Sequence, residues 1–187
     1  MPAQLTLVLG GARSGKSTFA EKLALADGGP VTYLATADSR DAEMAERIRL
    51  HQARRDSSWR TWEGGPEELP EAVSKISGML LLDCLTMWLT RLFLKGGEAE
   101  NTDEAVWERR EAEIRSLTEK LCSAPGNDTS LVIVSNEVGF GLVPPYLMGR
   151  RFRDLQGRMN QLAAARAERV VLVAAGLPLW LKGGSQQ

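Results

Sequence analysis

The chain has 187 residues, 43% hydrophobic and 25% charged, which suits one domain around a single large core and excludes disorder or a fibrous repeat. Its formal net charge of −1 excludes a broad basic field for nucleic acid or an anionic membrane, so any anion must be held by a local site. The two cysteines, Cys84 and Cys122, make neither a CxxC pair nor a disulfide framework, and point to a reducing, cytoplasmic compartment. The opening residues MPAQLTLVLGG lack the basic region and the length of a secretory signal, and the longest apolar runs stop short of a membrane span.

In chain order, Leu5 to Leu9 is a short apolar run that ends at two glycines and reads as a buried strand. A helical pattern follows from Lys16 to about Ala26 and is stopped by Gly28, Gly29 and Pro30. Val31 to Ala35 is a second strand, and Asp41 to Arg55 is helical and strongly charged. Trp59 to Glu63 reads as a short strand and Pro66 to Ile76 as a short helix. Met79 to Asp83 is a third apolar strand, continued by a helix from Leu85 to Leu94. Gly96 to Asn101 is a polar loop. Thr102 to Leu121 is an amphipathic helix with Thr102 as its expected N-cap and Asp103 and Glu104 in its first turn. After a turn at Ala124 to Asp128 come a strand at Leu131 to Ser135 and a Gly/Pro-rich loop, Asn136 to Pro145. A helix spans about Leu147 to Arg166, Val170 to Ala174 is a core strand, and Gly176 to Lys182 adds an edge strand. Strand and helix thus alternate along the whole chain, and the central strands are continuous Val/Leu/Ile runs. That pattern predicts an α/β fold with a mostly parallel sheet and helices on both faces. No repeat or linker divides it, so residues 1–182 are expected to form one catalytic domain, with 183–187 as a flexible tail.

The segment Gly10-Gly11-Ala12-Arg13-Ser14-Gly15-Lys16-Ser17 fits G-x-x-x-x-G-K-[ST] and lies between a predicted strand and a predicted helix. The glycines let backbone N–H groups turn inward around phosphate oxygens, and the helix that begins there presents its positive dipole end to the anion. Lys16 would neutralise the β- and γ-phosphates, and the Ser17 hydroxyl would ligate Mg²⁺. Asp83, ending an apolar strand, stands where such a protein places its second metal-side group, and it also suits the N-cap of the helix from Leu85. Three classes then remain: a small-molecule kinase or nucleotidyltransferase, a GTPase switch, and an ATPase that drives a partner. A switch reads its base with N-K-x-D, which is absent, and the D-x-x-G at Asp154 to Gly157 lies inside a helical pattern. A motor brings partner domains for which there is little spare length, so a small-molecule transferase is favoured.

The same loop, Gly10 to Ser17, resembles that of the bifunctional adenosylcobinamide kinase / adenosylcobinamide-phosphate guanylyltransferase family. The likeness continues through Tyr33-Leu34-Ala35-Thr36, Asp41 to Met44, Arg47-Ile48, His51, Trp59-Arg60-Thr61 and Glu63. It runs on through Asn136 to Gly139, Gly141, Val143-Pro144, Arg150, Phe152 to Asp154, Gly157 and Asn160-Gln161, in family order over nearly the whole chain. The resemblance implies a RecA-like P-loop fold, a homotrimer, and two reactions of cobalamin biosynthesis. Adenosylcobinamide would be phosphorylated on its aminopropanol hydroxyl with ATP or GTP. GMP would then pass from GTP, through a guanylylated histidine, to adenosylcobinamide phosphate, giving adenosylcobinamide-GDP and pyrophosphate. The alternative is another small-molecule P-loop kinase without guanylyltransferase activity. The resemblance assigns His51 as nucleophile beside Lys16, and nucleotide contacts to Ala35, Thr36, Ala37, Gln52, Arg54, Arg55, Glu63 and Asp83, with Mg²⁺ at Ser17 and Asp83. The chain departs from the family pattern at Ala37 (often Ser), Asp56 (commonly Pro) and Asp83 (frequently Glu).

Glu63 would lie near the nucleotide base or sugar, against the alternative of a solvated turn. Arg54 and Arg55 would hold phosphates beside His51, against that of a solvated helix face. Asn136 to Pro145 follows a core strand at the edge where α/β sheets bind ligands, and so shapes either the corrinoid site or a subunit contact. Arg150, Arg153 and Asp154 suit interface ion pairs; Trp88, Trp107 and Trp180 suit core or interface; Cys84 and Cys122 suit inert packing.

Overall fold

A computed structural model describes residues 4–36, 58–101 and 103–184. In chain order these form β1 (Leu5–Gly10), α1 (Lys16–Ala26), β2 (Val31–Ala35), β3 (Arg60–Glu63), α2 (Leu69–Lys75), β4 (Gly78–Asp83) and α3 (Leu85–Leu94). A 3₁₀ run (Lys95–Glu100), α4 (Glu104–Ser123), β5 (Thr129–Asn136), α5 (Leu147–Arg166), β6 (Arg169–Ala174) and β7 (Leu177–Lys182) complete them. The strands build one seven-stranded sheet in the order β3-β2-β4-β5-β1-β6-β7. Every neighbouring pair is parallel except β6 with β7.

The continuous apolar strands are explained by burial on both sheet faces. Leu5, Leu7, Leu9, Leu80, Leu82, Leu131 and Ile133 point to one face, where they meet Leu69 of α2, Leu85, Trp88 and Leu89 of α3, Ile114 and Leu121 of α4, and Leu155 and Met159 of α5. Val8, Val31, Leu81, Val132, Val134, Val171 and Val173 point to the other, against Ala20 and Ala24 of α1. Each fully buried Leu or Val contributes about 1.5–3 kcal/mol by leaving water. Trp88 and Trp107 are core residues, 1% and 3% exposed. Trp88 donates its indole N–H to the Pro66 carbonyl, and Trp107 packs edge-on to Phe93 with centroids 5.6 Å apart. Trp180 is half-buried, edge-on to Phe19 and beneath the Arg169 guanidinium.

Several expected boundaries move. The helix expected over Pro66 to Ile76 is confined to Leu69–Lys75, because residues 65–68 form a turn closed by the Glu68 N–H on the Gly65 carbonyl. The expected polar loop is a 3₁₀ run broken at Gly96 (φ 78°) and Gly97 (φ 72°). The N-cap of α4 is Asp103, whose carboxylate accepts from the Ala105 N–H at 3.0 Å, where Thr102 was expected; Thr102 lies outside the described residues. Asp83 does not cap α3: the N-cap is Cys84, and no side chain caps that end. The charged run expected as a helix over Asp41 to Arg55 lies outside the described residues.

Candidate active site at the carboxyl edge of the sheet

Parallel strands all end on one edge, and register there assembles distant residues. Gly10 pairs with Asn136, while Ala35 pairs with both Asp83 and Glu63. The ends of β1 to β5 therefore form one row across the sheet, the position at which open α/β sheets bind ligands.

The phosphate loop occupies the β1 end of this row. Gly15 sits at φ 93°, a conformation that favours glycine, and hands the chain directly into α1. A Cβ on Gly10 would come within 2.4 Å of Ser14 Oγ and 2.7 Å of the Val173 carbonyl oxygen, so a side chain there has no room. Arg13 is a non-glycine residue in the left-handed region at φ 56°. Helix α1 has no side-chain cap and no acidic residue in its first turn, which leaves its first N–H groups to an anion. Lys16 folds back to donate to the Gly11 carbonyl at 3.1 Å. Ser14 Oγ is buried and has no hydrogen-bond partner among the described residues. The loop is backed by the β6–β7 hairpin, whose Gly176 N–H donates to the Ser14 carbonyl at 2.8 Å. Its two turn residues, Ala175 (φ 51°) and Gly176 (φ 81°), both carry the positive φ of a two-residue hairpin turn. Both strands of this hairpin were expected, but its packing behind the phosphate loop carries no local sequence signal.

Asp83 is half-buried at the end of β4, before a cis peptide to Cys84. Its main chain is pinned from β2. The Tyr33 hydroxyl donates to the Asp83 carbonyl at 3.1 Å, and the Thr36 hydroxyl both donates to the Cys84 carbonyl and accepts from the Cys84 N–H, each at 2.9 Å. Thr36, expected to touch nucleotide, is 1% exposed and spends its hydroxyl on Cys84. Burial pushes the Cys84 thiol up to about 11; the Asp83 charge adds to this and the Lys16 charge opposes it. A neutral thiol suits the expected inert packing role.

Between these two parts, β5 ends in a buried polar network. Gln156 Nε2 donates to Ser135 Oγ and Asn160 Oδ1, and Ser135 Oγ donates to Asn160 Oδ1 at 2.7 Å. Asn160 Nδ2 donates to the Asn136 carbonyl, whose own N–H donates to Thr86 Oγ1 at 2.9 Å. The next N–H, of Glu137, donates to the Gly10 carbonyl at 3.1 Å, tying β5 to the phosphate loop. Within the chain, Arg150 donates to the carbonyls of Pro144 and Pro145, and Arg153 pairs with its neighbour Asp154 at 3.4 Å.

Of the expected site residues, the structure brings Gly10 to Ser17, Ala35, Thr36, Glu63 and Asp83 to one edge. Glu63 is exposed at its far end, on β3. His51, Ala37, Gln52, Arg54 and Arg55 lie outside the described residues. Among the described residues no cluster of three His, Cys, Asp or Glu side chains makes a metal cage. Ser17 lies in the first turn of α1 and Asp83 ends β4, both at this edge of the sheet. No helix among the described residues is long and apolar enough to cross a membrane.

Comparison with known proteins agrees with this geometry. Two solved structures share the fold at low sequence identity. A Pyrococcus horikoshii OT3 protein superposes with TM-score 0.56 at 10% identity, covering 97% of this chain and 87% of that one. An ATPase from a bacterial type III secretion system gives TM-score 0.53 at 12% identity, covering 91% of this chain and 51% of that one. The bifunctional adenosylcobalamin biosynthesis protein CobP of Pseudomonas aeruginosa is 44% identical over 182 residues, 95% of this chain and 96% of that protein. The corresponding CobU proteins of Escherichia coli K12 and Salmonella typhimurium LT2 are 40% and 41% identical over 184 residues, 95% of this chain and 99% of each. The family model for cobinamide kinase / cobinamide phosphate guanyltransferase matches residues 6–181. With that span covered and the phosphate loop at its head, the chain belongs to the cobinamide kinase / cobinamide phosphate guanyltransferase family.

Proposed function

We propose that one nucleotide site at this edge serves both reactions of the family. The enzyme phosphorylates adenosylcobinamide with ATP or GTP and then transfers GMP from GTP to adenosylcobinamide phosphate. The observation that carries the single-site reading is the packing of the phosphate loop against the β5 end, with Asp83 on the adjacent strand. In the kinase step the aminopropanol oxygen attacks the γ-phosphorus, the hydroxyl proton passes to solvent, and the nucleoside diphosphate departs. The first-turn N–H groups of α1 and the Lys16 ammonium stabilise the charge that spreads over the phosphoryl oxygens. Phosphate oxygens compete with the Gly11 carbonyl for Lys16. Ser17 and Asp83 would hold Mg²⁺, which would neutralise phosphate charge. In the second step an imidazole nitrogen of His51 attacks the α-phosphorus of GTP and pyrophosphate leaves. The corrinoid phosphate then takes the GMP and frees the histidine. Glu63, at the β3 end of the row, would meet base or sugar.

The family resemblance supports a homotrimer of single-domain subunits, and β7 supplies a surface suited to one. Leu177, Leu179 and Leu181 recur at alternate positions of this edge strand and are 72%, 59% and 57% exposed. The buried free thiols and the nucleotide substrates support a cytoplasmic site of action.

The deciding experiment is incubation of the pure protein with α-labelled GTP and Mg²⁺, with and without adenosylcobinamide phosphate. Labelled protein without the corrinoid phosphate, and labelled adenosylcobinamide-GDP with it, are expected. Kinase activity with no label in either fraction would support the monofunctional kinase instead.

A further inference from the structure

We propose that the Asn136 carboxamide donates a hydrogen bond to the terminal phosphate of the bound nucleoside triphosphate, which makes Asn136 a further catalytic residue of the kinase step. The proposal rests on the phosphate-loop reading argued above. Strand alternation decides which side chains share a face with that loop. Val132 and Val134 of β5, and Met79 and Leu81 of β4, pack on the face covered by α1. The next alternate residues, Asn136 and Asp83, end their strands on that same face. Val8 of β1 packs there too, and Gly10, two residues on, opens the phosphate loop and pairs with Asn136. Phosphates held by the loop and by Lys16 lie over the first turn of α1, and so on this face, beside the end of β5.

Two strands flank β1. β6 leads into Ala174, Ala175 and Gly176, which carry no side-chain donor. β5 ends in Asn136, whose main chain is held on both sides. Its N–H donates to Thr86 Oγ1 at 2.9 Å, and its carbonyl accepts from Asn160 Nδ2 at 3.1 Å. Thr86 and Asn160 are buried, and the buried Ser135 and Gln156 complete the network around Asn160. Buried polar side chains cost stability unless they are bonded, and here they are spent on fixing one strand end. The Asn136 side chain is not spent in this way. It is half-buried, and among the described residues its Nδ2 meets the Cys84 sulfur at 3.9 Å. A thiol sulfur is a weak acceptor, which an anionic phosphate oxygen displaces. A donor fixed in advance needs no reorganisation as the phosphoryl group transfers.

The test compares two ligands on the full chain, a non-hydrolysable ATP analogue and ADP, each titrated calorimetrically with Mg²⁺ present. Asn136→Ala should weaken the ATP analogue by about tenfold or more, the loss expected for a hydrogen bond to a charged group. Asn136→Asp keeps the size but sets a carboxylate against the phosphate, and should weaken the analogue further. ADP lacks the terminal phosphate, so both variants should bind it as the wild type does, which also reports folding. The kcat for adenosylcobinamide phosphorylation should fall with the analogue affinity. Parallel loss of ADP and analogue affinity would overturn the proposal, by giving Asn136 a purely structural role. Wild-type affinity for the analogue in both variants would overturn it as well. The affinity ratio is read without a corrinoid, so it decides the proposal even if the wild-type chain phosphorylates no adenosylcobinamide. A wild-type chain that binds neither nucleotide would remove the phosphate-loop reading and this proposal together.

Discussion

Thr36 and Cys84 exchange two hydrogen bonds through one buried hydroxyl, donating to the Cys84 carbonyl and accepting from its N–H, each at 2.9 Å. The pair fixes the chain where it leaves β4, one residue beyond Asp83. Thr36→Val keeps the shape but strands both main-chain groups of Cys84, which should cost on the order of 2–3 kcal/mol of stability in urea unfolding. The kinase kcat should fall, because Asp83 loses its fixed position, and Thr36→Ser should recover most of both losses. A Val variant of wild-type stability and rate would show that the pair positions nothing.

Lys16→Ala tests the phosphate loop. Both half-reactions use a nucleoside triphosphate, so both should slow, by on the order of 3 kcal/mol or more of transition-state stabilisation. Among the described residues Lys16 hydrogen-bonds a carbonyl of its own loop at 3.1 Å, so its removal should leave the melting temperature nearly unchanged. Rates of phosphorylation and of guanylyl labelling are the measurements. Wild-type rates in both assays would remove the loop from catalysis.

Much of this site was legible from the sequence because local rules decide it. Gly10 to Ser17 carries its own geometry, and α1, β2, α3 and α5 begin and end within about a residue of the places that apolar runs and breakers dictate. The remainder depends on contacts between distant segments. No local signal states that Thr36 will bond to Cys84, that Gly176 will back Ser14, or that Arg150 will hold Pro144. The capping residue of α4 was misplaced by one position because Thr102 and Asp103 are both good N-caps; the carboxylate on the Ala105 N–H decides between them. The exposure of Phe140 and Leu142 was equally hidden, since apolar residues in a sequence are read first as core.

Cys122 makes a pH prediction with a definite sign. Burial in α4 raises its thiol from an ordinary 9.0 to about 11, with the Arg166 charge opposing the rise. Its folded pKa thus lies above its unfolded one. Its contribution is fully present below pH 9 and is lost as pH rises towards 11, because the unfolded chain releases the proton first. Every tenfold difference in proton affinity between the folded and unfolded chain is about 1.4 kcal/mol of stability. The urea midpoint should fall between pH 9 and 11, and Cys122→Ala should flatten that part of the curve relative to its own value at pH 7. An equally steep fall in the Ala variant would assign the dependence to other groups. The native thiol should also resist alkylation at pH 8 and react on unfolding.

The last prediction concerns His51, the only histidine in the chain. It lies outside the described residues, and the sequence carries the argument. With the helical spacing that the sequence predicts over 41–55, Glu43, Arg47, His51 and Arg55 would share one i, i+4 stripe with Arg54 beside it. A nucleophile so flanked has cations at hand to hold an α-phosphate. Neighbouring positive charge disfavours the imidazolium, and an imidazole with an unperturbed pKa of about 6.5 is already largely neutral at pH 7. Its free nitrogen can therefore attack phosphorus without a separate base, splitting guanylyl transfer into two displacements with pyrophosphate leaving first. The adduct should be a phosphoramidate, stable in base and labile in acid. His51→Ala should abolish both the adduct and adenosylcobinamide-GDP formation. It should leave measurable kinase activity, because the proposed γ-phosphoryl transfer uses Lys16, Ser17 and Asp83 and needs no histidine. The measurement is α-labelled GTP followed by peptide mapping of the label. GMP retained on the His51→Ala protein, or a label that maps to a lysine, would refute the assignment. Loss of both activities together would mean that the histidine also shapes the shared nucleotide site.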